Sequence, residues 1–461
     1  MQIKIQIRQL IPVKRSLSLV PALVRTTVAF VLSILLLVSS GVVTAKAGTS
    51  TITDLGTLGG SSSTATAINN SGQVAGYSTT ANGNTHAFLY SGGSMTDLGA
   101  LGGQLSVAYG INDSGQLVGY VAMVNGSGPT YAFLYSDGIM TLISTLAESS
   151  FSSEATAINN SGQIVGGSVN NTVAFLYTPG TGITNIATPV PGYSVANVAT
   201  AINNSGQVVG YSQITAYPGE AAFLYSNGSL TYLPTPAQAP SLVGAPAGFQ
   251  AIAYGINNNS QVIGSIAGYF TSTSLANTTQ AFLYSDGSMT ALGTLGGPDS
   301  VAYGINDSGQ VVGYSWTTGP IAPPPVSAPI DAFLYSNGTM IDLNSLLPAN
   351  SGWRLTEATA INNSGQIVGQ GFYNGELHAF LLTQVTFASL INLVNEFDTN
   401  GNAAGMVAKL EAAESSFARG NIQSGDNQLN AFINQVSAQS GKSLTAAQAA
   451  ILIQDAKALM M

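Results

Sequence analysis

A chain of 461 residues with no cysteine and 7% charged side chains is long enough for a large buried core and takes no support from disulfides. Twenty acidic residues stand against eleven basic ones, and six of the eleven fall before residue 48. The remaining five against twenty give a formal charge of −15, which argues against nucleic acid as a partner because neutralising phosphates takes Lys and Arg.

Residues 1–47 read as a secretory signal peptide. Lys4, Arg8, Lys14, Arg15 and Arg25 form a basic leader, Thr27 to Val43 is largely apolar, and Ala45-Lys46-Ala47 is a small-residue cleavage site. The apolar run is short for a spanning helix, with a retained anchor as the alternative. The leader places the protein outside the cell, so the membrane is expected to matter only through this segment.

Next comes an isolated strand pattern, Thr51–Leu55 (TITDL), and then a repeat. The core [AG]IN occurs at Ile68, Ile111, Ile158, Ile202, Ile256, Ile305 and Ile361, at spacings of 43, 47, 44, 54, 49 and 56 residues. Each core is followed by a Q-x-x-G strand and then by AFL[YL], with its Phe at 88, 133, 175, 223, 282, 333 and 380. Asn-Ser-Gly and Ser-[Gly/Asp/Asn]-Gly connections join the strands as tight hairpins, since Gly supplies positive φ. Each unit therefore predicts four short strands, the size of a propeller blade. The last unit lacks a fourth strand, and Thr51–Leu55 is a fourth strand without a unit. The predicted fold is mainly β: a seven-bladed propeller over 48–383, closed by its N-terminal strand. An open array of hairpins is the alternative, and it leaves that strand unpartnered.

The connections between strands two and three, and between units, vary in length: Gln213–Ala221, Pro234–Gln250, Ile266–Gln280, Trp316–Asp331 and Asn344–Glu357. All should lie at one end of the blades, where variable loops on a rigid scaffold carry binding. Trp316 opens a proline-rich stretch. Trp353, Arg354 and Glu357 fall in the last connection between units, and Arg354 is the sole basic residue between Gly48 and Leu382. These four are the candidate binding residues. They read either as an aromatic platform with Arg for sugar or peptide, or as a structural Trp with an Arg–Glu pair.

From Phe387 the pattern turns helical. Leu390, Leu393, Val394 and Phe397 fit one face; Val407, Leu410 and Phe417 a second helix; Leu429, Phe432, Ile433 and Val436 a third. Thr445 to Gln448 is a capping box opening a fourth. A small four-helix bundle over 384–461 is expected.

The polar constellations read mostly as architecture. Asn69 and Gln73 recur in every unit, as expected of side chains that satisfy turn backbone groups; a ring of Gln at a channel mouth is the alternative. The seven strand-two glycines suggest close backbone approach or a bulge. His86 and His378 share one otherwise varied slot and are expected at the surface. Asp54, Asp97 and Asp342 are expected on outer strands, where charge discourages edge pairing. Glu148 and Glu154 share one loop. No catalytic residue, metal ligand set or cofactor is expected. Asp398–Asn402 is faintly like a calcium loop but lacks its spaced ligands and terminal Glu, and reads as a turn between helices.

The units, AINNSGQVVGYS followed by HAFLYS and MTDLG, resemble the extracellular repeat family called HAF, whose tripeptide stands at His86–Phe88 and His378–Phe380. The tail LNAFINQVSAQSGKSLTAAQAAILI (429–453) is similar to the FIMAH domain, a helical module at the C-terminus of bacterial extracellular proteins. Together the resemblances imply a secreted bacterial repeat protein with an accessory module, and carry over no activity. The expected function is non-enzymatic binding or scaffolding of an extracellular macromolecule, such as a cell-surface glycan or protein, through the long-loop end. An extracellular propeller enzyme and a structural envelope component are the alternatives.

Overall fold

The computed structural model describes residues 50–123, 128–143, 152–168, 173–186, 195–214, 219–234, 250–268, 278–318, 330–348, 350–397 and 403–460. The leader read over 1–47, the calcium-like stretch 398–402, Glu148 and most of the long connections lie outside them.

Within a repeat unit the chain runs as an antiparallel meander. In unit 1 the strands are Gly59–Ile68, Val74–Thr80, Thr85–Ser91 and Ser94–Asp97. The described strands form five four-stranded sheets and one eight-stranded sheet, in which units 1 and 2 touch through one parallel pairing, Thr85 with Leu105. The fold is mainly β and propeller-like. Unit 7 supplies three strands, Trp353–Ile361, Gln366–Tyr373 and Glu376–Gln384. Its fourth is Ser50–Asp54, which pairs antiparallel with Glu376–Gln384. The orphan strand of the sequence thus finds its place.

Each sheet is held by a repeated plug. Phe88, Phe133, Phe175, Phe223, Phe282, Phe333 and Phe380 are all fully buried, and each such ring contributes roughly 1.5–3 kcal/mol. The strand-two glycine makes room for it. A Cβ on Gly76 would collide with the Thr64 carbonyl and the Phe88 ring, and the corresponding atom on Gly313 with the Val301 carbonyl and Phe333. Close approach is therefore the reason for Gly at this position.

Every first strand carries a bulge two residues before its Ile, for example between Ala65 and Ala67. A bulge leaves ladder groups unpaired. In unit 1 the Thr66 hydroxyl lies 3.1 Å from the Ala75 carbonyl and 2.9 Å from that of Ala108 in the next unit. Thr156, Thr200 and Thr359 repeat this contact. Units 2, 5 and 6 carry Tyr109, Tyr254 and Tyr303 there instead, each followed by Gly rather than Ala. A Cβ on Gly304 would lie 2.8 Å from the Ala360 Cα of the next unit.

Beyond Gln384 the chain becomes helical: α1 Phe387–Phe397, α2 Ala403–Ala418, α3 Ile422–Gln439 and α4 Ala446–Ala458. Their amphipathic faces share one core of Leu390, Val394, Met406, Leu410, Leu429, Phe432, Val436 and Leu452. Thr445 and Gln448 cap α4 reciprocally, at 3.2 and 2.9 Å. Among the described residues no helix is long and apolar enough to cross a membrane.

Candidate functional site

The two ends of a unit differ in chemistry. At one end lie the turns between strands one and two and between strands three and four, joined by contacts such as Gln73 Nε2 to Ser91 Oγ at 3.4 Å. The Asn at the start of the first turn makes the same contacts in all seven units. The Asn69 Oδ1 accepts from the backbone N–H groups of Ser71 and Gln73, while its Nδ2 donates to Gln73 Oε1 at 2.8 Å and to the Asn112 carbonyl at 3.0 Å. Asn112 reaches Asn159 in turn, and so on to Asn362, whose Nδ2 donates to the Asn69 carbonyl at 3.0 Å. The repeated Gln is therefore a turn partner.

The next residue adds a second series. Its backbone N–H donates to the side-chain oxygen of the corresponding residue one unit on, as from Asn70 to Asp113 and from Asn363 to Asn70. Each aspartate is also flanked by two asparagine amides. Asp113 Oδ2 accepts from Asn70 and Asn160 at 3.0 and 2.8 Å, and Asp307 Oδ2 from Asn258 and Asn363 at 3.0 and 2.9 Å. Partial burial alone would raise these carboxyls, but the donors outweigh it and hold both below the ordinary value. These Asn and Asx residues, with the seven Ile of the repeat core, line an open pocket of about 170 Å³.

At the opposite end the side chains are individual. Trp316 lies in the strand Val311–Thr317, paired with Ile330, and is half-buried. Trp353, Arg354 and Glu357 were expected in a connection but belong to the first strand of unit 7. Pairing extends that far because Trp353 stacks on Tyr373 across the ladder, at 4.9 Å between ring centres and 23° between planes, with Phe380 edge-on at 6.2 Å. Strands likewise run into the other expected loops, as at Gln213–Ile214 and Gly219–Ala221.

The expected Arg–Glu pair does not form. Arg354 Nε donates to Asp331 Oδ1 at 3.2 Å, across to unit 6, and remains half-exposed. Burial, then Asp342, pushes the Asp331 carboxyl up, and Arg354 pulls it back. Glu357 instead accepts from Gln370 Nε2 at 2.7 Å; burial raises its carboxyl despite that bond. Opposite Arg354 in the ladder stands Phe372, 44% exposed. The alternating pattern gives no warning of an aromatic left in solvent, so sequence reasoning missed it.

The histidines, expected at the surface, are partly buried. The side chains of His86 and His378 are 16% and 14% exposed because each lies against an aspartate of the neighbouring outer strand. His86 Nδ1 is 2.9 Å from Asp97, and His378 Nδ1 is 2.9 Å from Asp54 on the closing strand. His378 Nε2 lies 3.6 Å from Glu376, whereas His86 Nε2 is buried without a hydrogen-bond partner. The outer-strand aspartates, which face Phe88 and Phe380 in the ladder, thus engage the histidines through their side chains in these two units. Glu154 was expected in a loop but lies in a first strand, Ser153–Ile158. Among the described residues no group of three or more His, Cys, Asp or Glu converges.

A family model described as a protein of unknown function (DUF3466) matches residues 244–414. Among solved structures the chain is similar to a streptogramin B lyase, at 12% identity over 72% of this chain and 98% of that one, with a TM-score of 0.43. It is similar also to virginiamycin B lyase from Staphylococcus aureus, at 13% identity over 72% and 99% with a TM-score of 0.41. A third likeness is the β-propeller domain of the Trilobed protease from Pyrococcus furiosus, at 8% identity over 70% and 95% with a TM-score of 0.39. No curated protein matches the chain. Likenesses at these scores carry no argument for activity.

Proposed function

We propose that the chain is a secreted, non-enzymatic binding or scaffold protein: a closed seven-bladed propeller of HAF-type repeats sealed by Ser50–Asp54, with a FIMAH-like helical tail as an accessory module. The series of Asn contacts, which returns from Asn362 to Asn69, supports seven blades in one ring. One observation carries the functional reading. The polar side chains that recur in every unit are occupied by contacts within and between units at the turn end. Individual groups, Trp316, Arg354 and Phe372, collect at the other end, where the long connections also attach. An exposed aromatic across the ladder from a half-exposed Arg suits a glycan or protein surface with apolar and acidic features.

The test is binding of residues 48–461 to a panel of glycans, peptidoglycan and intact cells. Saturable binding that weakens at least about fivefold in Phe372→Ala and Arg354→Ala supports the reading. Binding indifferent to both, or catalytic turnover of any panel member, overturns it.

A further inference from the structure

Units 3 and 7 share a feature that the other five lack. Two residues before the bulged Thr or Tyr they carry Glu154 and Glu357, where the others have Thr64, Val107, Val198, Ile252 and Val301. Across the ladder Glu357 faces Gln370, and Glu154 faces Gly167. In unit 7 the Gln370 amide fills the place beside the carboxylate at 2.7 Å, and its oxygen takes the Thr64 hydroxyl at 2.9 Å. In unit 3 the facing residue, Gly167, brings no side chain of its own. Among the described residues Glu154 keeps one hydrogen bond, from the Thr130 hydroxyl of unit 2 at 3.4 Å.

The surroundings of Glu154 favour a positive charge. Tyr109 and Tyr120 pack 5.7 Å apart between ring centres, and the carboxylate is close enough to push both phenols up, after burial as the main cause. Ring faces are negative. Among the described residues no basic side chain pairs with Glu154, and the one basic residue between 48 and 382, Arg354, is engaged by Asp331. Burial also holds the Glu154 carboxyl above its ordinary value, as expected of a half-buried acid without a counter-charge.

We propose that Glu154, Tyr109, Tyr120 and Thr130 form a site for an alkylammonium group, a free amine or a lysine side chain, seated where unit 7 carries the Gln370 amide. The ammonium donates to Glu154, and its charge and methylenes lie against the two tyrosine rings. This site lies between units 2 and 3 and stands independently of the long-loop reading.

The experiment titrates butylammonium chloride into the protein, against sodium chloride at matched ionic strength, by calorimetry and tyrosine fluorescence. One saturable site is expected. Glu154→Gln should weaken it roughly tenfold or more. Gly167→Gln, which supplies the amide of unit 7, should abolish binding. Gln370→Gly should open a second site, doubling the stoichiometry. Absence of saturation, or an affinity unchanged in the near-isosteric Glu154→Gln, overturns the proposal even if Gly167→Gln fails to fold. Equal binding of tetramethylammonium, which has no N–H to donate, overturns the hydrogen-bonded geometry.

Discussion

At the turn end, Asn69 and its six counterparts each make the same four contacts. At the opposite end, Trp316, Arg354 and Phe372 each occur once, and among the described residues one ion pair, Arg354 with Asp331, crosses between units. Repetition marks what every unit needs in order to sit beside the next, and individuality marks what that joining leaves unconstrained. The two ends should therefore respond to substitution on different scales.

The largest effect belongs to the turn end. Asn159→Ala removes four contacts, leaves the Ser161 and Gln163 N–H groups without this acceptor and the Asn203 carbonyl with the Gly206 N–H alone, and should cost about 2–3 kcal/mol in denaturant unfolding. Arg354→Ala breaks a half-exposed pair and should cost under about 1 kcal/mol. Equal costs would erase the distinction between the ends.

The helical unit supplies the next effect. Asp455 of α4 is 7% exposed, and burial pushes its carboxyl up to about 6. Because the folded value lies above the unfolded one, the charge destabilises the fold near neutrality. Stability should rise as pH falls through about 6 towards the unfolded carboxylate range. Asp455→Asn should stabilise the helices near neutral pH by roughly 1–2 kcal/mol, allowing for residual hydration, and flatten their dependence on pH.

Removal of a histidine comes third. His378→Ala should cost about 1 kcal/mol and expose Ser50–Asp54 to proteolysis, because Asp54 belongs to a strand joined to its sheet from far away in sequence. His86→Ala, within a local hairpin, should leave the strand protected. The smallest effect is that of Asp113 and Asp307. Their carboxyls are held below the ordinary value, so they stabilise above the unfolded range and lose that contribution as pH falls through the folded value. In Asp113→Asn the acid-side decline in melting temperature should become shallower.

The repeat architecture was legible because period, turn chemistry and the buried Phe all agree at seven places, and the displaced TITDL strand pointed to its own partner. The candidate site was less so. Arg354 was visible as a lone cation, but the bulge between Leu355 and Glu357 decides which residues face them across the ladder, Phe372 for Arg354 and Gln370 for Glu357, whose carboxylate the Gln370 amide then takes. A shift of one residue reverses faces, and spacing alone does not reveal it. The exposure of Phe372 and the burial of the histidines depend on contacts between separate strands. One cue did lie in the sequence: Tyr-Gly replaces Thr-Ala in units 2, 5 and 6, which changes what packs against the following unit.

The closing strand carries a consequence in time. Thr51 and Thr383, in contact through the Thr51 hydroxyl at 3.5 Å, are 332 residues apart. A ribosome delivers Ser50–Asp54 early and its partner Glu376–Gln384 late; at ~5–20 residues per second the interval is roughly 15–65 s. Throughout that wait the strand is an open template for any passing edge. The hazard of mispairing is then set by the pace of translation, and slowing synthesis at the last unit should raise the aggregated fraction without altering the stability of the finished protein.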